Sequence, residues 1–106
     1  LTAEENAKIV AVLRRHTTDE VMFHGLRTRS AGRHGFATFD ALVPGDWTVT
    51  KAHDLVEIIE ADIHAEVEFV ELRIHIEPKE DPRAYGDHPV EIPIGELPDA
   101  GQSKTA

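Results

Sequence analysis

The chain has no cysteine, which excludes a disulfide framework and a thiolate metal site, so any metal held by its side chains must sit on nitrogen and oxygen. Basic residues are scarce: 11 Lys and Arg stand against 20 Asp and Glu, a formal net charge of −9. That balance repels nucleic acid and anionic membranes and leaves cations as the natural partners. No stretch approaches the roughly 18 apolar residues that a membrane span requires, and the start has no basic segment followed by an apolar one. An initiating methionine is also missing. Leu1 runs straight into a helix signal, so the chain is expected to be a piece of something longer. Its 106 residues have room for one domain with one modest core.

Thr2 to Arg15 carries the T-x-x-E capping box of a helix start, with Thr2 and Glu5 as the reciprocal pair. Ala3, Ala7, Val10 and Leu13, or Ile9 and Val12 beside them, form its apolar stripe, and Arg14, Arg15 and His16 suit the carboxyl end of the helix dipole. Val21 to Arg29 reads as a strand with Val21, Phe23, Gly25 and Arg27 on one face and Met22, His24, Leu26 and Thr28 on the other. Ser30 to Gly35 has turn composition, which predicts an antiparallel return over Phe36 to Val43 with Asp40 in its middle. From Trp47 the pattern is helical again, capped by Thr48. Val49, Ala52, Val56, Ile59 and Ile63 lie on a buried face, and His53, Glu57, Glu60 and His64 on a polar one.

The stretch VEFVELRIHIEP, Val67 to Pro78, then alternates as a strand: Val70, Leu72, Ile74 and Ile76 face one way, Glu71, Arg73, His75 and Glu77 the other. Beyond it the composition changes, with four of the six prolines in Lys79 to Ala106. Residues 1–81 are expected to form the domain and 82–106 a mostly flexible tail, with Val90, Ile92 and Ile94 the candidates within it for pairing with a sheet edge. The order α, β, β, α, β predicts an α+β two-layer sandwich, helices on one face of an open sheet. The other face is left for a partner, of which a second copy is the simplest supply.

Five residues stand out as donors for a divalent cation: His24, Asp40, His53, His75 and Glu77. His75 and Glu77 share a strand face roughly 6.6 Å apart at the backbone. Asp40 is a residue type that apolar strands avoid and that calls for a charged or hydrogen-bonding partner. Imidazole and carboxylate without thiolate suit zinc, iron, manganese, copper or nickel.

The strings His24-Gly-Leu-Arg-Thr-Arg29, Asp46-Trp-Thr-Val49, Ala52-His53 and His75-Ile-Glu-Pro78, at these separations, closely resemble the cytoplasmic carboxy-terminal domain of bacterial cation diffusion facilitator transporters. The resemblance spans about Thr2 to Asp81 and leaves out the tail. It implies a metallochaperone-like, ferredoxin-related αββαβ fold that forms a V-shaped homodimer on the cytoplasmic side of a membrane, below the protein's own upstream transmembrane domain. It also implies that His24, Asp40, His53, His75 and Glu77 bind metal near the dimer interface, zinc first among the candidates, and that the bound ion stabilises the closed dimer as a regulatory step in divalent cation efflux. Arg27 and Arg29 take structural roles by the same resemblance, pairing with acidic residues of the helices. Asp40 departs from the pattern: relatives with zinc-type sites often carry histidine there, and an oxygen donor makes the site harder and more anionic. Two other readings of the residues stand beside this one, a metal-independent dimerisation domain and a small metal-dependent hydrolase. No catalytic motif supports the hydrolase.

Overall fold

In the computed structural model, which describes residues 1–85 and 92–94, Thr2 opens helix α1 (Ala3–Arg15) through the full capping box. The Glu5 amide donates to Thr2 Oγ1 at 3.0 Å, and the Thr2 amide donates to the Glu5 carboxylate at 2.9 Å. The bond from the Thr2 amide holds the Glu5 carboxyl below its usual value. Strands β1 (Met22–Ala31) and β2 (His34–Val43) follow, then helix α2 (Val49–Glu66), capped by Thr48, strand β3 (Val70–Pro78) and a single 3₁₀ turn over Pro82–Tyr85. Gly32 and Arg33 make the two-residue hairpin link between Ala31 and His34. Gly32 has φ +63 and Arg33 does not enter the left-handed region, the pattern of a turn whose first position needs glycine.

The sheet order is β1-β2-β3, with β2 antiparallel to β1 and parallel to β3. A parallel neighbour requires a crossover, which α2 supplies. Both helices cover one face, giving the expected two-layer α+β sandwich. Ile9, Val12 and Leu13 of α1 and Ala52, Ile59 and Ile63 of α2 join Phe23, Leu26, Ala37, Phe39, Ala41 and Val43 in one core. The rings of Phe23 and Phe39 meet edge to face at 6.0 Å. His16 Nε2 lies 2.7 Å from the Asp62 carboxylate and Arg15 lies 3.4 Å from Glu66, so the carboxyl end of α1 is tied to α2.

Four expectations change. Leu26 does not share a face with His24, because Gly25 and Leu26 together oppose Phe39. This bulge returns Leu26 to the core and turns Arg27 outward. Arg27 and Arg29 consequently lie on the side away from the helices, and neither forms an ion pair with a helix carboxylate among the described residues. Val49 is exposed rather than buried, since it is the first helical residue and overhangs the sheet. In α1, Ala3, Ala7 and Val10 do not form the sheet-facing stripe. They line a groove of about 580 Å³ with Ile92 and Pro93, while Ile9, Val12 and Leu13 go to the sheet.

Residues placed in the tail by composition also touch the domain. The Ile92 amide donates to the Leu26 carbonyl on the open edge of β1, and Ile92 and Ile94 pack against the core. Val90 lies outside the described residues. Outward-facing Leu42 is 1% exposed, and Ala84 of the 3₁₀ turn is buried as well. The turn is closed by Arg83, whose side chain and amide bond the Asp81 carboxylate and hold its pKa down to about 2. Tyr85 donates to the Lys79 carbonyl at 2.7 Å and sets its ring edge-on to His24 at 5.5 Å. Ending the chain after Asp81 removes buried Ala84 and the packing of Ile92 and Ile94 on the core, and should cost about 2 kcal/mol, the scale for losing one buried aliphatic side chain. For a domain of this size that is on the order of 10 °C in the thermal midpoint, measurable by calorimetry. An unchanged midpoint would show that the turn and the Ile92 segment contribute nothing to stability.

Candidate metal centre

The open face of the sheet is organised in rows that run across the strands. Register pairs His24 with Asp40 and Asp40 with His75, so one row carries imidazole, carboxylate and imidazole. His24 Nε2 stands 3.1 Å from Asp40 Oδ2, and His75 Nδ1 stands 3.6 Å from Asp40 Oδ1. The two imidazoles thus address different oxygens of one carboxylate. Asp40 is 16% exposed and His24 22%, whereas His75 is 75% exposed. The inner part of the row is built into the sheet, and His75 remains free to turn toward an incoming ligand.

The bulge is what makes this alignment possible. Gly25 has φ +73, the left-handed conformation that glycine adopts at little cost, and it absorbs the extra residue between His24 and Arg27. His24 therefore stays opposite Asp40 while Phe23 and Leu26 both enter the core. The strand alternation expected from the sequence misses this step, although a glycine inside a strand pattern is the usual signal for it.

Of the five sequence-predicted ligands, the structure brings His24, Asp40 and His75 together. Glu77 lies one row further along β3, level with Leu42, where its charge adds to the field of Asp81 on Arg83. His53 is not in the row: it sits on the solvent side of α2, its Nε2 3.6 Å from Glu57. Among the described residues no set of three or more His, Asp and Glu side chains is gathered closely enough to hold one ion. Two further residues flank the row, of which Arg73 shares the His75 strand face as expected and Tyr85 had no signal in the sequence. Tyr85 covers His24 from the 3₁₀ turn, and Arg73 stands beside His75 in a cleft of about 450 Å³.

The fold is that of the cytoplasmic domains of cation-efflux transporters. Residues 1–79 match the family model for the cytoplasmic domain of cation efflux proteins, and the chain belongs to that family. An uncharacterized transporter of Synechocystis sp. is 47% identical over 73 residues; the match covers 69% of this chain and 23% of the relative, so the chain spans about a quarter of that protein. Among solved structures, the metal-bound C-terminal domain of the CzcD transporter from Thermotoga maritima aligns at 30% identity and a TM-score of 0.65, covering 74% of this chain and 92% of that one. A structure of the transporter CzrB aligns at 34% identity and a TM-score of 0.65, covering 74% and 96%, and CzrB also has a zinc form. The family is that of a transporter domain and not of an enzyme, and no described helix is long and apolar enough to cross a membrane.

Replacing Gly25 by alanine forces a Cβ into the left-handed region at a cost of roughly 1–2 kcal/mol. The expected outcome is a lower thermal midpoint together with perturbed His24 and Asp40 resonances in NMR spectra. A substitution that shifted neither would remove the bulge from the account of how the row is set.

Proposed function

We propose that this chain is the regulatory domain of a divalent metal cation efflux transporter, binding metal at the His24–Asp40–His75 row beside a homodimer interface and so favouring the closed dimer. The observation that carries the reading is the row itself, a half-buried carboxylate between two imidazoles on the sheet face that the helices leave open. Its donors fit a borderline divalent ion, zinc before iron, manganese, copper or nickel, because nitrogen and oxygen are available and sulfur is not. The metal-bound form of CzcD and the zinc form of CzrB support a divalent metal on this fold. Glu77 and His53 are the further ligands. In this protomer they stand apart from the row, so their part in the site calls for movement of the chain or for the second copy.

A bound cation supplies positive charge at Asp40 and a possible link between protomers. The chain's own residues do the rest. Asp40 is held at fixed height by two ladders, His24 is held against Tyr85, and exposed His75 would complete the hold on an ion there. An ion shifts the opening of the dimer only by the difference in its affinity for the two shapes. In the whole protein an upstream transmembrane domain would carry the transported cation, and this domain would report its abundance on the cytoplasmic side. The alternative of a dimerisation domain without metal regulation keeps the interface and drops the dependence on ions.

Chelator-treated protein is expected to sediment as a dimer at tens of micromolar. On titration with zinc it should bind with a contraction visible by small-angle scattering, and binding should weaken in acid as protons compete for imidazole. His75→Ala should lower zinc affinity at least about tenfold while sparing the fold, because that side chain is exposed. Asp40→Asn should also weaken binding. Parent-like zinc binding in both variants would remove the row from the proposal, and zinc binding without a change of shape would favour the alternative.

A further inference from the structure

We infer that the next row of the same face is an oxyanion site, formed by Arg27, Thr38 and Arg73 and suited to a small tetrahedral anion of the phosphate or sulfate type. Register sets Arg27 opposite Thr38 and Thr38 opposite Arg73, so two guanidinium groups flank one hydroxyl across three strands. Neighbouring strands lie about 4.8 Å apart, which separates the two arginine backbones by roughly 10 Å, within reach of both forks for one anion. The three side chains line a single cleft of about 450 Å³, together with Gly25, Phe39, Asp40 and His75. That volume suits a small molecule.

Charge makes the arrangement informative. The protein carries 20 acidic residues against 11 basic ones, yet neither Arg27 nor Arg73 has an ion-pair partner among the described residues. Asp40, the carboxylate that shares their cleft, is engaged by His24 and His75 instead. Two like charges directed into one cleft repel each other, and they also oppose a cation at the neighbouring row. An oxyanion between them offsets both effects and uses donors that face it already. Arg29 has a different engagement, stacked over the Phe36 ring at 4.2 Å, and Arg33 stacks over Phe69 at 5.0 Å. Those two make suitable controls outside the cleft.

The test uses sulfate as the probe, on chelator-treated, isotope-labelled protein with chloride balancing the ionic strength, so it reads the anion site whether or not the neighbouring row binds metal. Saturable shifts are expected at the amides of Arg27, Thr38 and Arg73. Arg27→Gln and Arg73→Gln should each weaken sulfate binding about tenfold or more, the scale of losing a charge-assisted contact. Thr38→Val, isosteric and compatible with a strand, should weaken it to a smaller degree, and Arg33→Gln should leave it unchanged. Shifts that rise without saturation, or saturation retained in both cleft-arginine variants, would overturn the site. Sedimentation supplies the last arm: if sulfate dissociates the dimer in a way that Arg73→Gln reproduces, the cleft holds a carboxylate of the second copy and the free-anion assignment is wrong.

Discussion

β2 is bonded along both edges, antiparallel to β1 and parallel to β3, and this double ladder is the constraint on which the open face depends. Because side chains alternate along a strand, the burial of Ala37, Phe39, Ala41 and Val43 fixes the height and direction of Thr38, Asp40 and Leu42. A slip of one residue would drive the Asp40 carboxylate into the apolar core, where an unpaired charge is prohibitively costly. The core therefore positions the polar rows indirectly, and it needs no contact with them to do so.

Three zones follow from that register. At one end lies Leu42, 1% exposed, and the 3₁₀ turn brings Tyr85 against His24. In the middle lies the imidazole–carboxylate–imidazole row, and next to it the pair of arginines around Thr38. The negative balance of the chain as a whole attracts cations at long range, while His75 stands between the Asp40 carboxylate at 3.6 Å and Arg73 in the same cleft. The turn at the His24 end leaves the β3 side, where the His75 side chain is 75% exposed, as the more open part of the face.

The helix caps, the hairpin and the three strands were legible in the residues because each rests on short-range chemistry. Thr2 with Glu5 and Thr48 with Lys51 close local hydrogen bonds, and the alternation from Val70 to Pro78 is a property of one extended segment. His24, Asp40 and His75 were likewise identifiable as candidates from residue type and placement. Other features were decided only by the tertiary structure. Whether Gly25 would bulge depended on Phe39 accepting Phe23 and Leu26 from the same side, which no local pattern encodes. His53 and His75 looked equivalent as ligands, but one went to the solvent side of α2 and the other to the sheet, since helix and strand were packed back to back. The 3₁₀ turn and the Ile92 contact were hidden by proline-rich composition, which reports low intrinsic order and is silent on whether an open strand edge stands ready to receive the segment. Sequence determined which groups could bind and which segments were regular; long-range packing determined which of those groups share a surface, because only the closed core brings residues 24, 40 and 75 to one height.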